Sequence, residues 1–371
     1  MIYSAFIQKN LDARYAIKNK NNDMKRTTHI LLALSLLFSS QAIASDAGTP
    51  ITFEQQTEAK PVIQVSAPAI LFEINVQKTD KAFTEMAMKG AALANSERGI
   101  KYKEFLLQSG DDRETTLRKM AESGSKHVIA VGFENVLPVI KIAESFPHTK
   151  FTVIDGMVPP LYPNVRSVVF RDNEGGFLAG MLAAMASKSN VIGFVGGMDA
   201  PMIRNFAYGY EQGAHYIKSD IKVLRSMIGN TRESWNNPAR GSALAEEQFS
   251  QGADVVFGCA GGSTTGVLLA AHKNNKLAIG IDSNQNNLFP GSVLTSLVKR
   301  VDKAVYDTLK ADQENNWEPG TRYMGLSESA LDYAVDMNNK SLVTKEMVDK
   351  VEIAKDMIIR GAMEVESYSP N

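Results

Sequence analysis

The sequence predicts an α/β protein of two doubly wound parallel-sheet lobes, with a hinge and a ligand cleft between them. Three observations lead there. Continuous apolar runs of strand length alternate with helical segments through most of the chain. Runs that are apolar at every position suit strands buried on both faces, as in parallel sheets covered by helices. This pattern extends over about 300 residues, more than one ordinary domain of about 100–200 residues, so two lobes are expected.

The strand-like runs are Ala69–Val76, His127–Val131, Phe151–Ile154, Val191–Val195, Val255–Phe257 and Leu277–Ile281. Helical segments follow at Phe83–Ser96, Thr115–Gly124, Asn135–Ser145, Gly176–Ser187, Ala239–Ser250 and Thr265–Asn274. Within the fourth helix, Gly176, Gly180, Ala183 and Ala184 suggest close packing against the sheet, and neither they nor Glu174 need a ligand. Phe206, Tyr208 and Tyr210 alternate along a further helical stretch and read as packing. Asn237 and Pro238 form an N-cap and first-turn pair, and Gly252 ends that helix.

The N-terminal region has a different character. Lys25 and Arg26 follow Met24 and precede an apolar stretch from Ile30 to Phe38, and Ala42-Ile43-Ala44 supplies a cleavage site before Ser45. This is the pattern of a secretory signal peptide, with an apolar core shorter than the ~20 residues that span a bilayer. Residues 1–23 then read as a start-site misassignment, 24–44 as the signal and the polar stretch 45–61 as a linker. Cys259 is the single cysteine, so no internal disulfide is possible, and none follows the signal to carry a lipid. The expectation is a soluble periplasmic protein cleaved near Ser45. A net charge of -1 gives no overall attraction to nucleic acid or an anionic membrane, and no nucleic-acid partner is expected.

The stretch "VVFGCAGGSTTGVLLAAHK", Val255–Lys273, runs from strand through glycine turn to helix. It is not a P-loop, because Val267 and Leu268 follow Gly266 where lysine and a hydroxyl are required. Gly258, Gly261, Gly262 and Gly266 miss the dinucleotide spacing, and Gly262 directly precedes Ser263, unlike a nucleophile elbow. The five histidines lack metal-ligand spacing, so His272 reads as a helix-surface residue and Cys259 as a small apolar residue at a strand end. A non-enzymatic binding protein with no metal and no cofactor is the leading expectation.

Several stretches together resemble the basic membrane protein (BMP) family, the purine-nucleoside receptor components of ABC transporters. They include "DKAFTE" (80–85), "FRDNEGGFLAGMLAA" (170–184), "IGFVGGMDAPMIRNFAYGYEQGA" (192–214) and "SWNNPARG" (234–241). "GADVVFGCAGGSTTGVLLAA" (252–271), "IGIDSNQ" (279–285) and "VLTSLVKRVDKAVYD" (293–307) continue the series, and the second lobe matches better than the first. The resemblance implies a type I periplasmic binding fold, with lobe 1 at 62–168 plus 299–318 and lobe 2 at 169–298 plus 319–365. It implies a nucleoside ligand, a membrane permease as partner and a monomeric state. It also implies roles for individual residues. Phe83 and Trp235 would stack on the two faces of the base, and Gly261 would let backbone approach the ribose. Asp282 and Lys299 would bind the sugar and could pair with each other.

The sequence departs from the family pattern at the first lobe. Thr84 replaces an asparagine, and Glu73 and Asn75 stand where an aspartate-glycine segment is usual. Glu134 or Asn135 would supply the base-recognising acid or its substitute. Two other functions remain open: a sensor of the same fold signalling to a membrane partner, and a nucleoside-processing enzyme. The enzyme would need a carboxylate cluster for calcium or an activated base, which no sequence motif provides.

Overall fold

Two six-stranded sheets organise the chain in this computed structural model, which describes residues 67–73, 82–108 and 110–369. The readings at 1–23, 24–44 and 45–61, together with Asn75 and Asp80, lie outside the described residues. The first sheet contains β1 (Ala69–Glu73), β2 (Lys103–Leu107), β3 (His127–Val131), β4 (Lys150–Ile154), β5 (Val165–Phe170) and β11 (Gly320–Met324). Its spatial order is β11-β5-β4-β3-β1-β2, and all its pairs are parallel. The second contains β6 (Val191–Met198), β7 (Lys222–Gly229), β8 (Val255–Cys259), β9 (Leu277–Asp282), β10 (Val293–Lys299) and β12 (Leu331–Tyr333). Its order is β12-β10-β9-β8-β6-β7, parallel except for β12, which runs antiparallel to β10.

The helices are α1 (Phe83–Arg98), α2 (Arg113–Glu122), α3 (Val136–Ala143), α4 (Asp172–Ala186), α5 (Pro201–Ile217), α6 (Pro238–Ser250), α7 (Thr264–Lys273), α8 (Val301–Gln313) and α9 (Lys345–Ile359). Local chemistry explains several boundaries. The Asn237 side chain accepts from the Arg240 amide with Pro238 in the first turn, and Asp112 and Thr344 cap α2 and α9 in the same way. The central strands are buried along most of their length, which accounts for their unbroken apolar runs.

The chain passes between the sheets at Arg171, at Arg300 and in the segment after Met324. These crossings are tied together: the Arg171 amide donates to Met324 O at 2.9 Å, and the Arg300 amide donates to Ala330 O at 2.8 Å. Glu174 accepts from the Leu326 amide, so this carboxylate holds the hinge.

Two sequence expectations change. The sequence puts the return to the second lobe at 319, but β11 pairs with β5 from Gly320↔Arg166 to Met324↔Phe170 and so belongs to the first sheet. β11 is a short edge strand with mostly exposed or half-buried residues, and lacks the apolar run that marks a buried strand. The small residues of α4 meet a helix as well as the sheet: Gly175 lies against Leu297 and Leu331 of the second sheet, while Gly176 and Gly180 face α5. A Cβ on Gly176 or Gly180 would run into the Phe206 or Tyr210 carbonyl oxygen of α5, and Gly209 and Gly213 return the contact from α5. The absence of four side chains brings the two helix backbones together.

Candidate ligand-binding site

A cleft opens where the carboxyl ends of both sheets face each other, the position expected for a ligand in open α/β sheets. Six strands end at this cleft or carry their next residue into it, four of them with a charged side chain. Glu73 ends β1, Asp155 follows β4, Asp282 ends β9 and Lys299 ends β10.

Its inner end is built on Lys299. The ammonium donates to both carboxylate oxygens of Asp155 at 2.8 Å and lies 3.0 Å from Asp172 Oδ1. It also lies 4.6 Å from the ring centre of Phe170 and 5.3 Å from that of Phe206, within cation–π range. The Lys299 and Asp172 side chains are only 3% and 2% exposed. Burial alone would discharge the lysine, but Asp155 and Asp172 hold its pKa above the ordinary value, with Asp282 adding to the effect. Burial pushes the Asp172 carboxyl up, against the pull of Lys299, and Asp155 and Asp282 reinforce the shift because three carboxylates share one cation. Asp155 and Asp282 adopt left-handed backbone conformations, with φ of 63° and 68°. Such angles are uncommon outside glycine and concentrate at functional sites. Burial also raises the Cys259 thiol pKa, keeping this residue a small neutral side chain in the wall.

Aromatic residues form the middle of the cleft. Phe83 begins α1, while Trp235 lies in the 3-10 turn Arg232–Asn236 on the opposite lobe. The Trp235 ring rests on Gly197, where a side chain would collide with it, and beside Gly261, whose φ of 56° suits glycine. Phe133 approaches Trp235 edge-on across the cleft at 6.5 Å.

The outer end is a carboxylate–guanidinium network. Arg113 Nη2 is 2.9 Å from both oxygens of Glu73 and also donates to Glu134. Arg232, from the second lobe, pairs with Glu73 and lies 3.4 Å from Glu134. Burial pushes the Glu134 carboxyl up, with Arg113 acting in the opposite direction.

Phe83, Thr84, Glu134, Trp235, Gly261, Asp282 and Lys299 all line this cleft. Asn135 does not. It is buried, and its amide donates to Val131 O and Gly132 O, so it shapes the turn that presents Glu134. The expected Lys299–Asp282 pairing is replaced by Lys299 with Asp155 and Asp172. Phe206, read as packing, lies in the cleft wall. Sequence reasoning missed Asp155, Asp172, Arg113 and Arg232. Asp155 was detectable: it follows the apolar run of β4 just as Asp282 ends β9. The described residues contain no cluster of three or more His, Cys, Asp or Glu suited to a metal ion.

Comparison with known proteins agrees with this architecture. The family described as "ABC transporter substrate-binding protein PnrA-like" matches residues 70–368. The chain is 32% identical to the ABC transporter nucleoside-binding protein BmpA of Lactococcus lactis, over 78% of this chain and 86% of the relative. It is 32% identical to an uncharacterized lipoprotein of Pyrococcus abyssi, over 81% and 76% respectively. Among solved structures, an ABC transporter solute-binding protein from Aeropyrum pernix aligns with a TM-score of 0.73 at 24% identity. The alignment covers 82% of this chain and 94% of that one, and supports the fold.

The lipoprotein names correct the expectation of a soluble periplasmic protein without a lipid anchor. The Pyrococcus abyssi relative and two further Pyrococcus relatives carry the name, which implies an anchoring lipidated cysteine. The expectation rested on the leader and on cysteine placement, whereas the family match lies in the binding domain; how that domain is tethered does not follow from its fold. Over these residues the chain belongs to the Bmp family of PnrA-like ABC transporter substrate-binding proteins.

Proposed function

We propose that the ligand is a nucleoside with a purine base, received between the lobes by a monomeric protein and passed to an ABC permease. One observation carries this reading: a single cleft is lined by aromatic residues from both lobes, Phe83 and Trp235, and by a carboxylate-rich end at Asp155, Asp282 and Lys299. Flat aromatic walls suit a base, at about 1–3 kcal/mol per stacked contact. Carboxylates suit the hydroxyl donors of ribose. The name of the Lactococcus relative points to the same ligand class.

In this reading Phe83 and Trp235 enclose the base, with Thr84 beside Phe83. Gly261 admits the sugar close to backbone, Glu134 faces the base edge and Asn135 supports the Glu134 turn. Asp282 accepts from ribose hydroxyls. Lys299, already engaged by two aspartates, holds the carboxyl cluster in place.

Calorimetry with purine nucleosides, their deoxy forms and the free bases tests the assignment. A missing contacted hydroxyl leaves a buried acceptor unpaired, at about 1–3 kcal/mol. Deoxynucleosides should therefore bind about tenfold weaker or worse. Equal affinity for base and nucleoside would remove the sugar role of Asp282.

A further inference from the structure

A second cavity, of about 220 Å³, lies between α8 and the β5–β11 edge of the first sheet and shares no lining residue with the interlobe cleft. Its charged lining is Arg166 of β5, Arg322 of β11, Lys303 and Asp307 of α8, and Glu328 from the segment after β11. Arg322 pairs with Val168 in the ladder, two positions on from Arg166, so both arginines stand on the same face of the sheet. Arg166 is only 5% exposed. Its Nε donates to Glu318 O at 2.6 Å, and its guanidinium lies 5.1 Å from the centre of the Trp317 ring. Among the described residues no other hydrogen bond and no ion pair reaches this guanidinium. Burial lowers its pKa and the neighbouring Arg322 charge adds to the shift, against the pull of Glu318 and Asp312. Asp312 is engaged by Lys150 at 2.8 Å. Arg322 is exposed and likewise has no ion pair among the described residues. The two carboxylates of the cavity are engaged elsewhere: Asp307 pairs with Lys303 at 2.6 Å, and Glu328 accepts from the Gly325 amide at 2.7 Å.

We propose that this cavity is a second ligand site, which takes a phosphate group between Arg166 and Arg322. A buried charge is costly unless it is paired, and two like charges side by side add to that cost. An anion between them removes both penalties. Guanidiniums present planar forks of donors that match phosphate oxygens, two bonds at a time. Asp307 and Glu328 then decide which anion enters. A phosphate that keeps a hydroxyl can donate to a carboxylate, whereas sulfate at neutral pH has only acceptors to bring against it. The volume admits the free ion or a small phosphate ester. Because the cavity and the cleft have separate walls, this site does not depend on the nucleoside reading.

The test is calorimetry of the full-length protein near pH 7, in a buffer without phosphate, with inorganic phosphate, glycerol phosphate and sulfate. Phosphate should bind at one saturable site, and sulfate at least tenfold weaker. Arg322→Gln, at an exposed edge position, should fold normally and weaken phosphate at least tenfold. Arg166→Lys keeps the charge but loses the fork, and should weaken it severalfold. Phosphate should also raise the melting temperature of the original protein more than that of Arg322→Gln, since a ligand stabilises the state that binds it. Tighter binding of glycerol phosphate than of phosphate would identify an ester as the ligand, and the reverse order the free ion. Absence of saturable phosphate binding, or affinity undiminished in Arg322→Gln, would overturn the site. Sulfate binding as tightly as phosphate would overturn phosphate as the ligand class. Should Arg166→Lys fail to fold, Arg322→Gln decides the matter alone.

Discussion

The two ends of the cleft each join the lobes with opposite charges, but with different balance and burial. At the inner end one ammonium serves Asp155 and Asp172, with Asp282 close enough to influence its charge, and the side chains of Lys299 and Asp172 are almost inaccessible. At the outer end two guanidiniums meet two carboxylates, and Arg232 is partly in water. Coulombic interactions are weakly screened in the first setting and strongly screened in the second. The inner end should therefore act as a rigid, acid-rich anchor, and the outer end as an exchangeable contact between lobes.

The strongest way to break this contrast is Lys299→Met. It leaves buried carboxylates without their cation, and breaking such a pair costs about 3–5 kcal/mol. Urea unfolding should show a loss of that order, and Asp155→Asn in the same chain, which removes the carboxylate bonded to the ammonium through both oxygens, should restore part of it. A loss below about 1 kcal/mol would mean that the inner cluster is not charged as described.

Trp235→Ala probes the region between the ends. Under the nucleoside reading it should weaken ligand binding by about 1–3 kcal/mol, the worth of a base–aromatic contact. Because Trp235 packs on Gly197 at the cleft surface, the thermal unfolding profile should keep its cooperative form. Unchanged affinity, with no tryptophan fluorescence response to ligand, would exclude stacking on this ring.

Asp172 sharpens the comparison through pH. Its folded pKa is raised from 3.8 to about 8, mainly by burial. The folded state then retains a proton that the unfolded state has lost. This group's contribution to stability is full below the ordinary value, declines as pH rises through that window, and is flat above about 8. Asp172→Asn should remove the decline, so that its stability relative to the original protein grows with pH. Parallel melting-temperature profiles for the two proteins from pH 5 to 9 would contradict the raised carboxyl.

The smallest effect belongs to the outer end. Arg232→Ala removes a partly exposed pair, whose contribution to stability should be under about 1 kcal/mol after solvent screening. A destabilisation comparable to Lys299→Met would show that the two ends are equivalent after all.

Much of this architecture was legible before any coordinates. β3 was read at its observed limits, and β4, β8 and β9 to within two residues, because buried strands carry unbroken apolar runs. The α6 cap was read from Asn237 and Pro238, since capping is a local interaction among neighbouring residues. Edge strands such as β11 and β7 were not recovered, because half-exposed strands have a weaker apolar signal, and the buried strands β5 and β10 were also missed because Arg166, Ser167, Thr295 and Ser296 interrupt their apolar runs. The cleft placement of Phe83, Trp235, Asp282 and Lys299 followed from the family resemblance and from their positions at element ends.

The sequence by itself determined which residues stand at strand ends and helix starts, because those positions depend on apolar runs, caps and glycines within a few residues. Only the tertiary structure decided their partners. Lys299 bonds to Asp155 across 144 positions, and Arg232 bonds to Glu73 across 159. Both pairs join one lobe to the other. Local periodicity carries no information about such contacts, because they exist only once two separately folded sheets present their carboxyl ends to the same cleft.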